Sequence, residues 1–376
     1  MRVLVTGGGT GGHVNPGLAI ANTIKENDPG AQIAYVGTPR GIENKLVPAA
    51  GYKLYHVDVM GLRRKLTPAN IKAAYLALTS PHKAKKIIEE FNPDIVIGTG
   101  GYVSWPVVKA ACGMGIPTAL HESNAVPGMA VRMLSGSVDR IYLNFEEAAS
   151  GLDENAKKKV LRVGCPLLSN GSGFSREDAF EKLGIPKGTD TYVLSFGGSM
   201  GAEKVNDAVF TLMERCTGGK SGVRHTHATG SIEKDIAAGW FKERGLDKYD
   251  NLELLEYIYD MPYRMAAADI VISRAGAMTI AELARTGKCA VLIPSPNVTD
   301  NQQYKNAKVL ADKGAAILIP VDENTGETLV REVSRLLAEP GLRKSLESNI
   351  AVLGKDDANK LIYNDIVKLV REKKKS

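Results

Sequence analysis

Val3-Leu-Val-Thr-Gly-Gly-Gly-Thr-Gly-Gly12 and Val193-Leu-Ser-Phe-Gly-Gly-Ser-Met-Gly-Ala202 read alike, nearly 190 residues apart. Each is a short apolar run with the composition of a buried strand, then a glycine turn, then the start of a helical pattern. Around the first copy, Arg2 to Val5, Gln32 to Val36, Asp94 to Ile97, Thr118 to His121 and Arg140 to Leu143 read as strands. Helical periodicity fills segments between them, such as Pro16 to Lys25 and Pro106 to Cys112. Around the second copy, Thr191 to Phe196, Asn251 to Leu255, Ile270 to Ser273, Ala290 to Ile293 and Ala316 to Ile319 repeat the plan. Alternating strands and helices of this kind make parallel α/β sheets. The sequence therefore predicts two similar Rossmann-like domains with a cleft between them.

Length agrees, since 376 residues exceed the roughly 150 of an average domain. The polar, aperiodic stretch Ser169 to Ser175 follows the Val160 to Gly164 segment and marks a join, so the expected division is 1–164 and 165–355. Residues 356–376 then carry Leu361, Ile362, Ile366, Leu369 and Val370 at the spacing of an amphipathic, packed helix. Cys112, Cys165, Cys216 and Cys289 share no metal-binding or disulfide spacing and read as reduced thiols. The opening residues have the character of a strand and not of a signal peptide.

A net charge of +6 over the whole chain is too mild to argue for nucleic acid. Its placement is more telling. The 30 residues from Val59 to Ile88 contain no Asp or Glu but hold Arg63, Arg64, Lys65, Lys72, Lys83, Lys85 and Lys86 among Leu62, Leu66, Ile71, Tyr75, Leu76 and Leu78. A one-signed, partly apolar surface suits an anionic membrane; a solvated basic face and an ordinary core helix are the plainer readings.

Gly7, Gly9 and Gly12 satisfy G-x-G-x-x-G, but the second strand ends in Tyr35-Val-Gly-Thr-Pro39 with no acid for a ribose, which disfavours NAD. Gly12 is followed by His13 and Val14 and not by Lys-Ser/Thr, which disfavours a P-loop. Two more polar turns, Gly98-Thr-Gly-Gly-Tyr-Val-Ser104 and His121-Glu-Ser-Asn124, follow strands and so line the same ligand-binding sheet edge. In the second half, Thr279-x-x-Glu282 reads equally as a capping box and as a carboxylate for a ribose diol. Gln302 and Gln303, at the start of a helix, could bond sugar hydroxyls or merely cap.

These motifs, in order and at matching spacing over essentially the whole chain, resemble the MurG family of peptidoglycan glycosyltransferases. They are Gly8-Gly-Thr-Gly-Gly-His13, Gly100-Gly-Tyr-Val-Ser104, His121-Glu-Ser-Asn124, Gly197-Gly-Ser-Met-Gly201, Arg274-Ala-Gly-Ala-Met-Thr279 with Glu282, and Gln302-Gln303. The resemblance implies a GT-B fold, two Rossmann-like α/β domains with parallel sheets facing a deep cleft and the C-terminal helix returning to the first domain. It implies an inverting transfer of N-acetylglucosamine from UDP-N-acetylglucosamine to the C4 hydroxyl of a lipid-linked N-acetylmuramyl-pentapeptide, at the cytoplasmic face of the membrane. On the donor side it implies Ser199, Ala277, Met278 and Thr279 at the diphosphate and ribose, Ile258 at uracil, Glu282 on the ribose, and Gln302 and Gln303 on the sugar. Thr10, Gly11, Gly12 and Asn124 would complete the donor site from the first domain, where Gly100, Gly101, Tyr102, Ser104 and His121 would hold the acceptor. The sequence departs from the family at Gly164-Cys-Pro166, where Asn usually stands for Cys165 and an Arg follows instead of Leu167 or Leu168; Arg274 or backbone dipoles would then face the diphosphate. Trp105 and Ser123 are milder changes.

The chemistry needs a base for the acceptor hydroxyl and a stabiliser for charge on the leaving UDP. His13, at a helix start that opposes protonation, is the expected base, and Glu122 is the second candidate. No Asp-x-Asp occurs, so helix N-termini after Gly201 and Ala275 are expected to replace a metal, and no cofactor is called for. A different GT-B enzyme, such as a galactosyltransferase or a UDP-N-acetylglucosamine epimerase, would keep the UDP half and differ in the first domain. A membrane-associated binding module would lack transfer activity altogether.

Overall fold

Val- and Ile-rich runs without a polar face are stable only when covered on both sides, and here they form parallel strands. The computed structural model describes residues 1–60, 68–168, 173–354 and 357–374. It divides into two units, Met1–Ser169 with Asp356–Ser376, and Asn170–Lys355. The first holds β1 (Arg2–Thr6), β2 (Gln32–Gly37), β3 (Lys53–His56), β4 (Ile95–Gly98), β5 (Thr118–Glu122), β6 (Arg140–Leu143) and β7 (Val160–Arg162) in a seven-stranded parallel sheet. Their order is β3-β2-β1-β4-β5-β6-β7. The second holds β8 (Thr191–Phe196), β9 (Val223–Ala228), β10 (Leu252–Leu255), β11 (Ile270–Ser273), β12 (Cys289–Leu292) and β13 (Ile317–Leu318), in the order β10-β9-β8-β11-β12-β13. In both, the order reverses beside the first strand, between β1 and β4 and between β8 and β11. The two quoted glycine turns follow β1 and β8, at those reversal points, where open α/β sheets bind ligands.

Three strands escape the sequence reading for different reasons. β3 and β7 are short edge strands with exposed residues, and lack the apolar signature of central ones. β9 reads Val-Arg-His-Thr-His-Ala, yet His225, Thr226 and His227 are fully buried. Their polarity is absorbed by an internal network. Ser195 Oγ lies 2.8 Å from His225 Nε2 and 2.9 Å from His227 Nδ1, Thr217 Oγ1 is 3.0 Å from His225 Nδ1, and His227 Nε2 is 3.0 Å from Asn206 Oδ1. Such a buried set is tolerated because its members are hydrogen-bonded.

The C-terminal helix, Ala358–Lys373, belongs to the first unit. Ile362, Ile366, Leu369 and Val370 join a core cluster with Val3, Val5, Leu18 and Ile20. Asp365 accepts from Arg140 Nε at 2.8 Å and Tyr142 Oη at 2.9 Å, and Asn359 clasps the backbone of Leu167 through both its amide atoms.

Burial drives the pKa of His225 well below 6.5 and those of His121 and His227 down to about 4. A histidine that protonates more readily unfolded than folded contributes stability above pH 6.5, and that stability is lost as pH falls toward the folded pKa. For a shift of this size the loss at pH 5 is about 2 kcal/mol per histidine. The urea midpoint should therefore fall between pH 7 and pH 5, and fall less in His227→Gln, as followed by circular dichroism.

Candidate active site

In the first unit, the β1 turn and the β4 turn press together. Gly8 N donates to Gly100 O at 3.3 Å, and a Cβ on Gly101 (φ +79°) would sit 2.4 Å from the Gly8 carbonyl oxygen. Backbone meets backbone there, which only glycine permits. The helix Gly11–Asn27 starts in this turn with Thr10 as N-cap and no side-chain cap bond. His13 is the third residue of that helix. Its Nδ1 lies 3.1 Å from the Gly8 carbonyl and 3.3 Å from Thr10 Oγ1. A carbonyl only accepts, so the proton sits on Nδ1 and the Nε2 lone pair is left without a partner among the described residues. The desolvated setting lowers the pKa of His13, opposed by the Gly8 carbonyl and by Glu43, so the ring is neutral at pH 7. The ring also packs on Gly100, where a Cβ would fall 2.5 Å from its Cδ2.

Several residues expected at the acceptor are spent inside the protein. His121 is buried, with Nε2 bonded to Gly164 O at 3.1 Å and Nδ1 3.3 Å from Ser123 Oγ, so neither nitrogen is offered to a ligand. Ser104 is buried and its Oγ bonds Gly100 N, Gly100 O and Thr6 O, which shapes the β4 turn. Glu122, the second candidate base, is buried and accepts from Asn124 N, Asn124 Nδ2 and Gly128 N at 2.7–3.1 Å. Both its oxygens hold the loop after β5. All three side chains are engaged within the protein. Tyr102 remains exposed on the β4 turn, and Gly100 and Gly101 are partly open. Glu43, which the sequence reading passed over, is buried beneath the β1 turn; the signal was Gly37 and Gly41 spaced closely before an acid.

In the second unit the β8 turn exposes Ser199, and Gly201 packs on the turn after β9, where a Cβ on Gly230 would lie 2.0 Å from Gly201 N. The helix Ala277–Thr286 follows β11 with Gly276 as an N-cap that has no side chain to offer. Thr279 is thus inside the helix and no capping box forms with Glu282, which lies in the second turn. The helix begins two residues before the Thr because the glycine already provides the extended cap conformation, at φ −65° and ψ 140°. Glu282 has an open side to solvent, its carboxylate makes no hydrogen bond among the described residues, and it is crowded enough that burial pushes its pKa up to about 6. Arg274 Nε is buried without a partner, and burial lowers the guanidinium pKa. Buried polar groups are normally satisfied, so the unpartnered Arg274 Nε, with the unpaired Glu282 carboxylate on the helix that follows, makes this sheet edge a candidate ligand site. Gln303 Oε1 accepts from Ser295 N at 2.8 Å, which orients the amide and leaves its NH₂ to offer a ligand. Ile258 is buried in the loop after β10, and Asn306, also missed from sequence, braces the Ala275 carbonyl.

The model of the glycosyltransferase family 28 N-terminal domain matches residues 3–143, and that of its C-terminal domain matches residues 192–362. The UDP-N-acetylglucosamine--N-acetylmuramyl-(pentapeptide) pyrophosphoryl-undecaprenol N-acetylglucosamine transferase of Acetivibrio thermocellus is 40% identical over 99% of both chains. This chain belongs to the MurG family of glycosyltransferases. The crystal structure of Acinetobacter baumannii MurG superimposes with a TM-score of 0.77 at 26% identity, over 98% of this chain and 99% of that one. A Neisseria meningitidis UDP-GlcNAc 2-epimerase shares the fold alone, with a TM-score of 0.65 at 15% identity over 98% of this chain and all of that one. The fold class is GT-B, and the chain is a transferase.

An ionised Glu282 without a partner is a cost to the unliganded protein. Its folded pKa lies above that of an unfolded glutamate, so stability falls as pH rises from about 4.5 to about 6 and stays reduced above that. Glu282→Gln should melt higher than wild type at pH 8, with the difference vanishing at pH 4. A lower melting point at pH 8 would restore a capping role.

Proposed function

We propose that this protein moves N-acetylglucosamine from UDP-N-acetylglucosamine to the C4 hydroxyl of a lipid-linked, diphosphate-bearing N-acetylmuramyl-pentapeptide, inverting the anomeric centre. The observation that carries the reading is that a family-28 chain holds a neutral His13 with a bare Nε2 in one unit and an unspent Arg274 and Glu282 in the other. His13 Nε2 takes the proton of the acceptor hydroxyl as that oxygen attacks the anomeric carbon. The bond to UDP breaks on the opposite face. Charge developing on the diphosphate is met by the N-terminal dipole of Ala277–Thr286, by the β8 turn at Ser199 and by Arg274, which stands in for the arginine absent after Pro166. Preorganised dipoles and a cation suffice for this, so the reaction proceeds without a metal. Glu282, once ionised, accepts from the two ribose hydroxyls, and the NH₂ of Gln303 faces the sugar. Ala277, Met278 and Thr279 flank the diphosphate, and Ile258 meets the uracil through its backbone. Gly100, Gly101 and Tyr102 hold the acceptor.

General-base assistance contributes about 10²- to 10⁴-fold. His13→Ala should lower kcat by that order in a sugar-transfer assay on a lipid-linked acceptor, with donor KM within about twofold of wild type. A defect confined to KM would place His13 in the binding shell.

The first unit is proposed to dock on the anionic cytoplasmic face of the membrane. Among the described residues no helix is long and apolar enough to cross a bilayer, so contact would be peripheral. On the helix Pro68–Phe91, Ile71 is 75% and Leu78 82% exposed, with Tyr75 between them on the same face. Residues 61–67, with Arg63, Arg64 and Lys65, lie outside the described residues. The acids flanking the basic run temper it: Lys83 pairs with Asp58 at 2.8 Å and Lys85 with Glu89 at 3.8 Å. Attraction should thus be moderate and salt-sensitive, at about 1 kcal/mol per basic residue at most. Co-sedimentation with vesicles containing anionic lipid should be weaker for Lys83→Glu, Lys85→Glu, Lys86→Glu than for wild type. Binding indifferent to lipid charge would overturn the docking.

A further inference from the structure

Glu43 opens the short helix Glu43–Ala49 and has no exposed surface, yet it has no cationic partner among the described residues. A carboxylate in that position is tolerated only if its lone pairs are filled. Thr38 N and Thr38 Oγ1 donate to Oε1 at 2.8 and 2.7 Å, and Gly9 N donates to Oε2 at 3.0 Å. Burial opposes the charge, but these bonds outweigh it and hold the carboxyl below its ordinary pKa. The space around the side chain exists because three neighbours are glycines. A Cβ on Gly8, Gly37 or Gly41 would lie 2.6, 2.5 or 2.0 Å from Glu43 atoms.

The Gly9 N–H that donates to Glu43 and the Gly8 carbonyl that accepts from His13 Nδ1 belong to one peptide group. The order is therefore carboxylate, amide N–H, carbonyl oxygen, imidazole N–H. Withdrawing electron density from neither end, an anion at the amide hydrogen makes the carbonyl oxygen more negative, and hydrogen bonds in such a chain reinforce one another. We propose that Glu43 is a positioning residue for catalysis, which fixes and polarises the Gly8–Gly9 peptide so that His13 presents a basic Nε2 in a single tautomer. This rests on the reading of His13 as the base. Glu43 never touches the substrate and stays ionised throughout; the acceptor proton ends on His13 Nε2. The arrangement does through one peptide what a carboxylate bonded directly to a histidine does in hydrolytic triads.

Other groups near the ring do not offer this. The β4 turn on its far side presents Gly100 and Thr99, and Thr99 Oγ1 bonds the His13 backbone carbonyl at 2.7 Å. Tyr35, under the Gly7 turn, is buried and its pKa is raised, so its hydroxyl is neutral. Glu43 is the charged group that acts on the ring, and it favours the protonated imidazole.

The test uses the full chain with ¹⁵N-labelled histidine and a transfer assay on a lipid-linked acceptor. In wild type, His13 should be neutral at pH 7 with its proton on Nδ1; a proton on Nε2 overturns the proposal without any variant. Glu43→Gln should lower kcat by about 10- to 100-fold with donor KM within about twofold, the range expected when a catalytic group is slightly misplaced. It should also move the His13 pKa, and with it the acid limb of the kcat profile, to lower pH. In a His13→Ala background Glu43→Gln should cost little more. An equal loss in both backgrounds, or an unmoved His13 pKa, would make Glu43 a structural brace only. A kcat that His13→Ala leaves near wild type would refute the base reading, while the response of the His13 resonances to Glu43→Gln still decides whether the relay exists.

Discussion

Parallel strands that all end at one edge bring their following turns together, and the site depends on how closely those turns approach. In the first unit the Gly101 backbone lies against the Gly8 carbonyl; in the second, Gly230 lies against Gly201. Neither approach leaves room for a Cβ. The spacing is set by β1 beside β4 and by β8 beside β9, with registers such as Thr6 opposite Gly98 and Phe196 opposite Ala228. A sheet fixes that distance within a few tenths of an ångström, because its ladder spacing is fixed. The glycines are therefore as much a consequence of the sheet as of the ligand. What the ligand adds is the demand that peptide groups, and not side chains, form the floor.

The two units treat their polar groups differently. In the first, Glu43, Ser104, His121 and Glu122 are consumed in holding turns, and His13 Nε2 beside them is left without a partner among the described residues. In the second, Arg274 and Glu282 keep their charges unneutralised, at a cost visible in their shifted pKa values. A base needs exact placement and a single tautomer, which a surrounding shell of internal hydrogen bonds provides. A nucleotide diphosphate brings two charges of its own, so a pocket for it stays electrostatically incomplete until it is filled. The same fold thus spends its polar residues where placement matters and withholds them where charge matters.

Most central strands were legible because burial on both faces forces continuous Val, Ile and Leu, as in Val3 to Val5 and Ile270 to Ile272. β9 was not, because its polarity is paid for by Ser195, Thr217 and Asn206 from elsewhere in the chain, contacts that no local pattern encodes. The site divides in the same way. Glycine turns announce themselves, since only glycine reaches those conformations and approaches. Which polar side chains are engaged inside the protein is decided by tertiary partners: His121 bonds Gly164 and Ser104 bonds Gly100 and Thr6, whereas Glu43, which looks like an ordinary helix-start acid, bonds Gly9 and Thr38. Of the two readings of Thr279-x-x-Glu282 the capping box does not form, because Gly276, three residues before Thr279, already caps the helix.

The absence of an arginine after Pro166 follows the same logic. Leu167 is clasped at both its N–H and its carbonyl by Asn359, whose amide also reaches Thr23 Oγ1, so that segment is stapled to the C-terminal helix and to the helix Gly11–Asn27. Leu167 is buried there and Cys165 is buried beside Ser123. A charged side chain at position 167 would have to leave this apolar setting or pay its desolvation. Arg274 sits instead on the turn after β11, just before the glycine-capped N-terminus of Ala277–Thr286, so cation and helix dipole lie in one short segment. Concentrating the positive potential there ties it to the rigid end of a central strand, which holds its direction better than a loop joining two units would.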